Sequence, residues 1–422
     1  MARVFYTLIY ALLLPVFVAR LWWRGRLNPG YRQRIHERFA LFRQRPPANG
    51  LWLHAVSVGE TLAAAPLVSQ FRARYPACPV IVTTTTPTGS EQVQRLFGDD
   101  VLHVYLPYDL PVFWQLFLKR MRPGLLVVME TELWPNLLAA CERESIPVML
   151  ANARLSEKSA RGYRKFSALT FPMLQRLSLV AVQNAVDGQR FLGLGLAQER
   201  LEVTGSVKFD VSVPDDIEQQ GQLLRAQWGS ERPVLALASS HAGEDELLLS
   251  LYPALAQQIP GLLLLLIPRH PERFAAVAEA ARAGGLPTAL RSENRVAADT
   301  QVYVADSMGE MLRLLASADL VLVGGSLIPH GGHNPIEPAA LGKATLMGPH
   351  HMNFAAIAES LQERGALALV SADPADLQQQ LLHYLERADE RQAMGGAGRR
   401  AVAENRGAVN RLTQLCAGFL KL

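Results

Sequence analysis

The grouping of apolar residues constrains this chain most. From residue 51 onward short apolar runs recur without polar alternation: Leu51–Ser57, Pro79–Thr86, Val101–Pro107, Leu125–Met129, Pro147–Ala151, Leu177–Gln183 and Leu201–Thr204. Runs of this kind form strands buried on both faces, which means a parallel sheet. The intervening stretches, such as Thr61–Tyr75 and Ala160–Arg176, are long enough for crossover helices. A polar, helix-forming stretch at 212–232 interrupts the pattern. It then resumes with Pro233–Ala238, Leu262–Ile267, Val302–Ala305, Leu320–Val323, Ala344–Met347 and Ala366–Val370. A length of 422 residues holds two or three domains at about 150 residues each. The sequence therefore predicts an α/β protein of two doubly wound, Rossmann-like domains facing a cleft. The expected boundaries are 27–211 for the first domain, 212–232 for a linker and 233–422 for the second.

The first 26 residues are different. Sixteen uncharged residues separate Arg3 from Arg20, and Trp22, Trp23 and five arginines between 24 and 38 follow. A bilayer core takes ~17–25 apolar residues, so the segment can cross it briefly or enter from one side. Arg20 and the tryptophan pair follow the apolar run directly, which does not fit a cleaved signal peptide. Tryptophans suit the membrane interface and arginines the anionic cytoplasmic surface. Residues 1–26 are thus expected to be a membrane anchor contacting phospholipids, with the body in the cytoplasm. The net charge of +4 hides +8 in residues 1–50 and −4 in the remainder. A body of that charge is not a nucleic-acid binder. Cys78, Cys141 and Cys416 have no C-x-x-C spacing, which excludes a disulfide scaffold and a cysteine zinc site.

Ligands of doubly wound sheets sit beyond the carboxyl ends of the strands, so the functional residues are sought there. The first run ends in HAVSVGE, placing Glu60 in the first turn of a helix, where the macrodipole also favours an acid. The fourth ends in METELWPN, with Glu130 and Glu132 two residues apart on one side of an extended chain. Glu60 and Glu130 can flank one pocket as base and partner. NARLSEKSARGY and GSVKFD add Arg154, Lys158, Arg161 and Lys208, a positive field for an anionic substrate.

In the second half, ALASSHAGEDE brings Ser239, Ser240 and His241 to a strand-to-helix turn. The run ending IPRHPERF exposes Pro268, Arg269 and His270, and SMGEM holds Gly309, Glu310 and Met311. An arginine at a strand end is a good phosphate clamp. The strongest local signal is GGSLIPHGGHNPIEPAALG, where glycine-rich turns run into Pro335, Ile336, Glu337 and Pro338. Such turns cradle phosphates, and one acid in the following helix can bind ribose hydroxyls. His330-x-x-His333 and His350-His351 have the spacing of metal ligands, but without clustered acids the reading is no metal site. Neither G-x-G-x-x-G after a strand, nor G-x-x-x-x-G-K-[ST], nor G-x-S-x-G is present. The sum is a nucleotide-sugar-dependent glycosyltransferase with access to a lipid substrate.

HAVSVGE, METELWPN, NARLS, TGSVKFD, PRHPER and GGSL…GGHNPIEP together resemble the bacterial 3-deoxy-D-manno-octulosonic acid (Kdo) transferases of lipopolysaccharide assembly. The resemblance runs in the same order from the anchor to about residue 355. It implies a GT-B fold whose last helix crosses back to the first domain. It implies CMP-Kdo as co-substrate with no cofactor or metal, and a lipid A precursor as acceptor at the cytoplasmic face of the inner membrane. By motif it assigns Glu60 as general base, with Glu130 and Lys208 stabilising charge as CMP leaves. It assigns Pro268–Arg269, Gly309–Met311 and Pro335–Pro338 to CMP, with Glu337 on the ribose. Two alternatives share these features: a uridine-nucleotide transferase or epimerase, and a membrane-tethered nucleotide-binding regulator.

Overall fold

The computed structural model describes residues 1–422 apart from 43, 294 and 295. The chain forms two compact units, one of Met1–Asp210 with Arg406–Leu422 and the other of Val211–Asn405.

The first unit contains β1 (Gly50–His54), β2 (Val80–Thr84), β3 (Leu102–Tyr105), β4 (Pro123–Met129), β5 (Val148–Ala153), β6 (Leu179–Val182) and β7 (Leu201–Val203). All pair in parallel, in the order β3-β2-β1-β4-β5-β6-β7. The strands are short because each apolar run is bounded by turn residues, and all but the edge strand β7 are largely buried because helices cover both faces. One face packs Trp52, Leu126, Val128 and Leu150 against Trp114, Phe117 and Leu138; the other packs Leu51, Leu53 and Val127 against Leu67, Phe71 and Leu412. His54 of HAVSVGE belongs to this core. It is fully buried, its Nδ1 lies 3.1 Å from the Thr83 carbonyl, and burial holds its pKa down to about 4.

The second unit repeats the plan with β8 (Val234–Ser240), β9 (Leu263–Pro268), β10 (Thr288–Leu290), β11 (Val302–Val304), β12 (Leu320–Val323), β13 (Ala344–Met347) and β14 (Ala368–Leu369). Their parallel order is β10-β11-β9-β8-β12-β13-β14. Among the described residues the edge strand β10 is the one strand that no apolar run announces. It has three residues, two of them only half-buried, so it carries little hydrophobic signal.

The linker differs from the sequence expectation. Residues 212–232 are not a free linker, because Ile217–Trp228 is a helix of the second unit. Ile217, Gly221, Leu224 and Trp228 recur at helical spacing, and Leu224 and Trp228 enter the core. Gly221 lets this helix approach the helix Met311–Ala316, since a Cβ there would stand 2.7 Å from that of Ala316. The chain after Asn405 belongs to the first unit. There Asp210 accepts hydrogen bonds from the Gly407 and Val409 amides, 2.5 Å each, and so caps the helix Ala408–Leu420.

The N-terminal helix α1 (Ala2–Arg24) is the one helix among the described residues long and apolar enough to cross a membrane. It lies along the first unit with one face only. Residues Ala2, Tyr6, Thr7, Tyr10, Leu14, Phe17, Val18 and Leu21 are half-exposed at helical spacing, whereas Val4, Phe5, Leu8, Leu12 and Val16 are exposed. Tyr6 donates to Asp109 (2.9 Å), Thr7 donates to the Asn136 side-chain oxygen (3.0 Å), and the Tyr10 ring meets Trp134 edge-on. Asp109 is itself buried and accepts from the Trp114 indole (2.6 Å) and the Leu137 amide (2.8 Å). At the other end of α1 the Arg32 and Arg26 guanidinium groups stand 4.2 and 5.5 Å from the rings of Trp22 and Trp23.

Candidate functional site

In a doubly wound sheet the crevice opens where strand order reverses. In the first unit that point falls between β1 and β4, the two strands that end in HAVSVGE and METELWPN. Helix α2 (Val58–Arg74) begins at once after β1. Ser57 caps it, and the Glu60 carboxylate accepts from the Val56 amide at 2.8 Å. Ser57 thus caps the helix start, and Glu60 ties the residue before the cap to the first turn. Burial raises its pKa to about 7, with the Glu130 and Glu132 charges adding to the effect against the Val56 hydrogen bond.

Glu130 follows β4 with a left-handed backbone, φ +55°, a costly conformation for a non-glycine residue. Arg154, from the turn after β5, holds its carboxylate at 2.9 Å. Burial raises Glu132 and lowers Lys208; the Glu130 charge pulls Lys208 back up while Arg154 adds to the lowering. Glu60, Glu130 and Lys208 thus belong to one electrostatic group. Lys208 reaches it because Asn152, buried and also left-handed at φ +53°, accepts from the Val207 amide at 3.2 Å.

In the second unit the reversal lies between β8 and β12. The glycine pair after β12 is dictated by close approach: a Cβ on Gly324 would stand 2.7 Å from the Ser239 carbonyl oxygen. Gly325, at φ +66°, lies under His333, whose ring a Cβ would meet at 3.0 Å. Ser239 is left-handed at φ +59°, beside the register shift that ends β8.

What pins this turn is a residue the sequence reading passed over. Glu244 is completely buried, and its carboxylate accepts from the amides of His241 (3.0 Å), Gly325 (2.7 Å), Ser326 (3.1 Å) and Leu327 (3.0 Å). Four backbone donors satisfy a buried charge and tie the end of β8 to the loop after β12. The one available signal was an acid three residues beyond His241, and it looked like an ordinary helix-start acid.

The residues expected at the nucleotide form two sets. Glu337 is pushed up by burial, while its hydrogen bond from Asn334 (3.3 Å) and the charge of Arg269 pull it down. Pro268–Arg269 and Pro335–Pro338 are therefore brought together, with Arg269 exposed. The helix that follows, Ile336–Ala340, is a single turn, so its macrodipole adds little to phosphate binding. At Gly309–Met311, Gly309 is exposed with φ +83°. Burial raises Glu310, but hydrogen bonds from Arg291 (2.9 Å) and Ser307 (2.6 Å) outweigh it and leave the carboxyl below its usual range. That side chain is already occupied by protein partners, so the backbone is what this segment offers a ligand.

A further cluster sits at the same switch point. His241 Nε2 lies 2.7 Å from His333 Nε2 with the rings parallel to within 9°, and the His330 ring is 3.9 Å from that of His241. Burial, reinforced by neighbouring histidines and Arg269, lowers both His241 and His333 to about 4. His350 and His351 are not in this group.

Two doubly wound parallel sheets, each with titratable side chains at its reversal point, define a twin-sheet α/β fold. The crystal structure of UDP-GlcNAc 2-epimerase from Neisseria meningitidis, bound to UDP-GlcNAc, shares it. Its TM-score is 0.56 at 14% identity, over 87% of this chain and 100% of that one, a likeness of fold alone. Family membership is more specific. The 3-deoxy-D-manno-octulosonic-acid transferase (kdotransferase) family profile matches residues 33–211. A 3-deoxy-D-manno-octulosonic acid transferase of Haemophilus influenzae is 40% identical over 424 residues, covering 100% of this chain and 99% of its own. Another from Bordetella pertussis is 37% identical over 425 residues, covering 97% and 98%. The chain belongs to the 3-deoxy-D-manno-octulosonic acid transferase family.

Proposed function

We propose that this chain is an inverting glycosyltransferase that moves Kdo from CMP-Kdo to a lipid A precursor. The observation that carries the reading is Glu60: a half-buried carboxylate at the β1/β4 switch point, its pKa raised to about 7. A carboxylate in that range accepts a proton near neutral pH and so suits a general base. Glu60 takes the proton of the acceptor hydroxyl as its oxygen bonds to the anomeric carbon of the sugar. The bond from that carbon to the phosphate oxygen breaks on the opposite side, and CMP leaves with the electron pair. Lys208 and the Glu130–Arg154 pair stabilise the charge that moves during transfer. On the second unit, Arg269 and the backbone of Gly309–Met311 and Pro335–Pro338 hold CMP, with Glu337 on the ribose. CMP is already a good leaving group, and the transfer needs no resident metal or cofactor.

The acceptor is a lipid, and the exposed face of α1 supports delivery from a membrane. Because its other face hydrogen-bonds to Asp109 and Asn136, α1 enters the bilayer alongside the body rather than crossing it alone. The arginines over Trp22 and Trp23 lie at the cytoplasmic surface of the inner membrane and meet phospholipid and acceptor phosphates.

The test is incubation of the detergent-purified protein with CMP-Kdo generated in situ and the lipid A precursor, followed by mass spectrometry of the lipid. A gain of one or more Kdo masses, absent with Glu60→Gln, supports the reading and counts the transfers. No gain while CMP still binds overturns the acceptor assignment.

A further inference from the structure

The imidazoles of His241, His330 and His333 converge from two segments that are distant in sequence, and their ligand atoms all lie within 4.8 Å of one another. His241 follows β8; His330 and His333 stand in the loop after β12. The backbone beneath them is fixed before any ligand arrives. Glu244 accepts from the His241 amide on one segment and from Gly325, Ser326 and Leu327 on the other, and the His333 amide donates to the Gly324 carbonyl at 3.1 Å. Gly325 is bare where a Cβ would press against the rings of His333 and His330, at 3.0 and 3.4 Å. The rings therefore share one small volume because the loop is built to bring them there.

From this geometry we infer a transition-metal site: His241, His330 and His333 bind one ion of the Zn2+ class, which inhibits donor binding. Three imidazole nitrogens with no oxygen donor suit zinc, nickel or copper and not magnesium or calcium. Three protein ligands leave a position open, as in a zinc site that keeps an exchangeable water. The 2.7 Å contact between His241 and His333 opens as the ion enters, because nitrogens at about 2.05 Å from a tetrahedral zinc stand about 3.3 Å apart. Arg269, His270 and Arg273 face the cluster from the segment after β9. Arg273 is paired with Asp245 at 2.7 Å, whereas Arg269 is exposed and opposes a cation. It sets the affinity below that of a closed structural zinc site. Inhibition follows from position: His333 lies two residues before Pro335, so an ion that clamps its ring also fixes the turn that leads into Pro335–Pro338. The inhibitory half rests on the donor assignment above, whereas the metal site does not.

The test uses the full-length protein in detergent and the metal alone. Titration calorimetry with Zn2+, and visible absorption with Co2+ as the spectroscopic probe, should show one ion per chain. His241→Ala, His333→Ala and the exposed His330→Ala should each weaken binding at least tenfold, and His350→Ala should leave it unchanged. No binding, or equal binding by His330→Ala, overturns the site. Saturating Zn2+ should then weaken CMP binding at least tenfold in the wild type and not in His330→Ala. CMP affinity indifferent to bound zinc overturns the inhibition. A protein that binds zinc and never binds CMP retains the metal site and refutes the donor assignment instead.

Discussion

At the reversal point of the first sheet, between β1 and β4, stand Glu60, Glu130 and Glu132, with Arg154 and Lys208 arriving from the turns after β5 and β7. At the reversal point of the second, between β8 and β12, stand a glycine pair, three imidazoles and Arg269, and the one carboxylate at the centre, Glu244, is spent on four backbone amides. The winding is the same and the chemistry is opposite. In the first unit Glu60 is half-buried beside two other acids, and its pKa is raised to about 7. In the second the acid is fully satisfied and serves as a strut, while the exposed groups are cationic or neutral. Topology gives both halves a crevice in the same place, and the side chains at the strand ends make one acidic and the other cationic or neutral.

The largest effect that would break this contrast is at Glu60. Glu60→Gln should slow transfer by about 10²–10⁴-fold with CMP affinity unchanged, read by lipid mass spectrometry and calorimetry on one preparation. A comparable loss of CMP binding would mean the two crevices do not divide the work.

Glu244 tests the second unit in the same way. Glu244→Ala leaves three buried amides and that of His241 without an acceptor and should cost about 3 kcal/mol or more, read as a lower unfolding midpoint. Glu60→Gln, which keeps an acceptor for the Val56 amide, should not lower the midpoint at pH 7. Arg269→Ala should weaken CMP about tenfold, as expected for one charge-assisted hydrogen bond, whereas Arg154→Ala on the first unit should not alter CMP affinity. Tyr6→Phe removes one hydrogen bond between α1 and Asp109 and should cost about 1 kcal/mol, measurable by denaturant unfolding in detergent.

The smallest effect concerns pH. Because Glu60 must be ionised to act as a base, the transfer rate should rise as pH climbs through about 7. Glu130→Gln should move that midpoint down by a fraction of a unit, since burial is the larger cause and the Glu130 charge a lesser one. The same shift acts on stability with the opposite sign. A raised carboxyl pKa favours the folded state at low pH, and that contribution is lost as pH rises from the ordinary carboxylate range to about 7. Glu60→Gln should flatten this loss in a pH series of melting curves.

The apolar runs alone determined two parallel sheets and their order along the chain, because a strand buried on both faces has no room for polar alternation. The strand ends were legible too: Glu60, Glu130 and Arg269 stand out as polar residues within three positions of such runs, and Glu337 by the glycine-rich loop before it. The sequence could not set the limits of the units, since Ile217–Trp228 reads as a polar linker until Leu224 and Trp228 find a core, and Ala408–Leu420 shows no sign of which sheet it covers. It could not show that His241 joins His330 and His333, or that Glu244 holds both segments, because 82 residues separate Glu244 from Ser326. Local order follows from the period of apolar residues within one element. Convergence at a switch point depends on which strands become neighbours, and only packing the whole sheet fixes that.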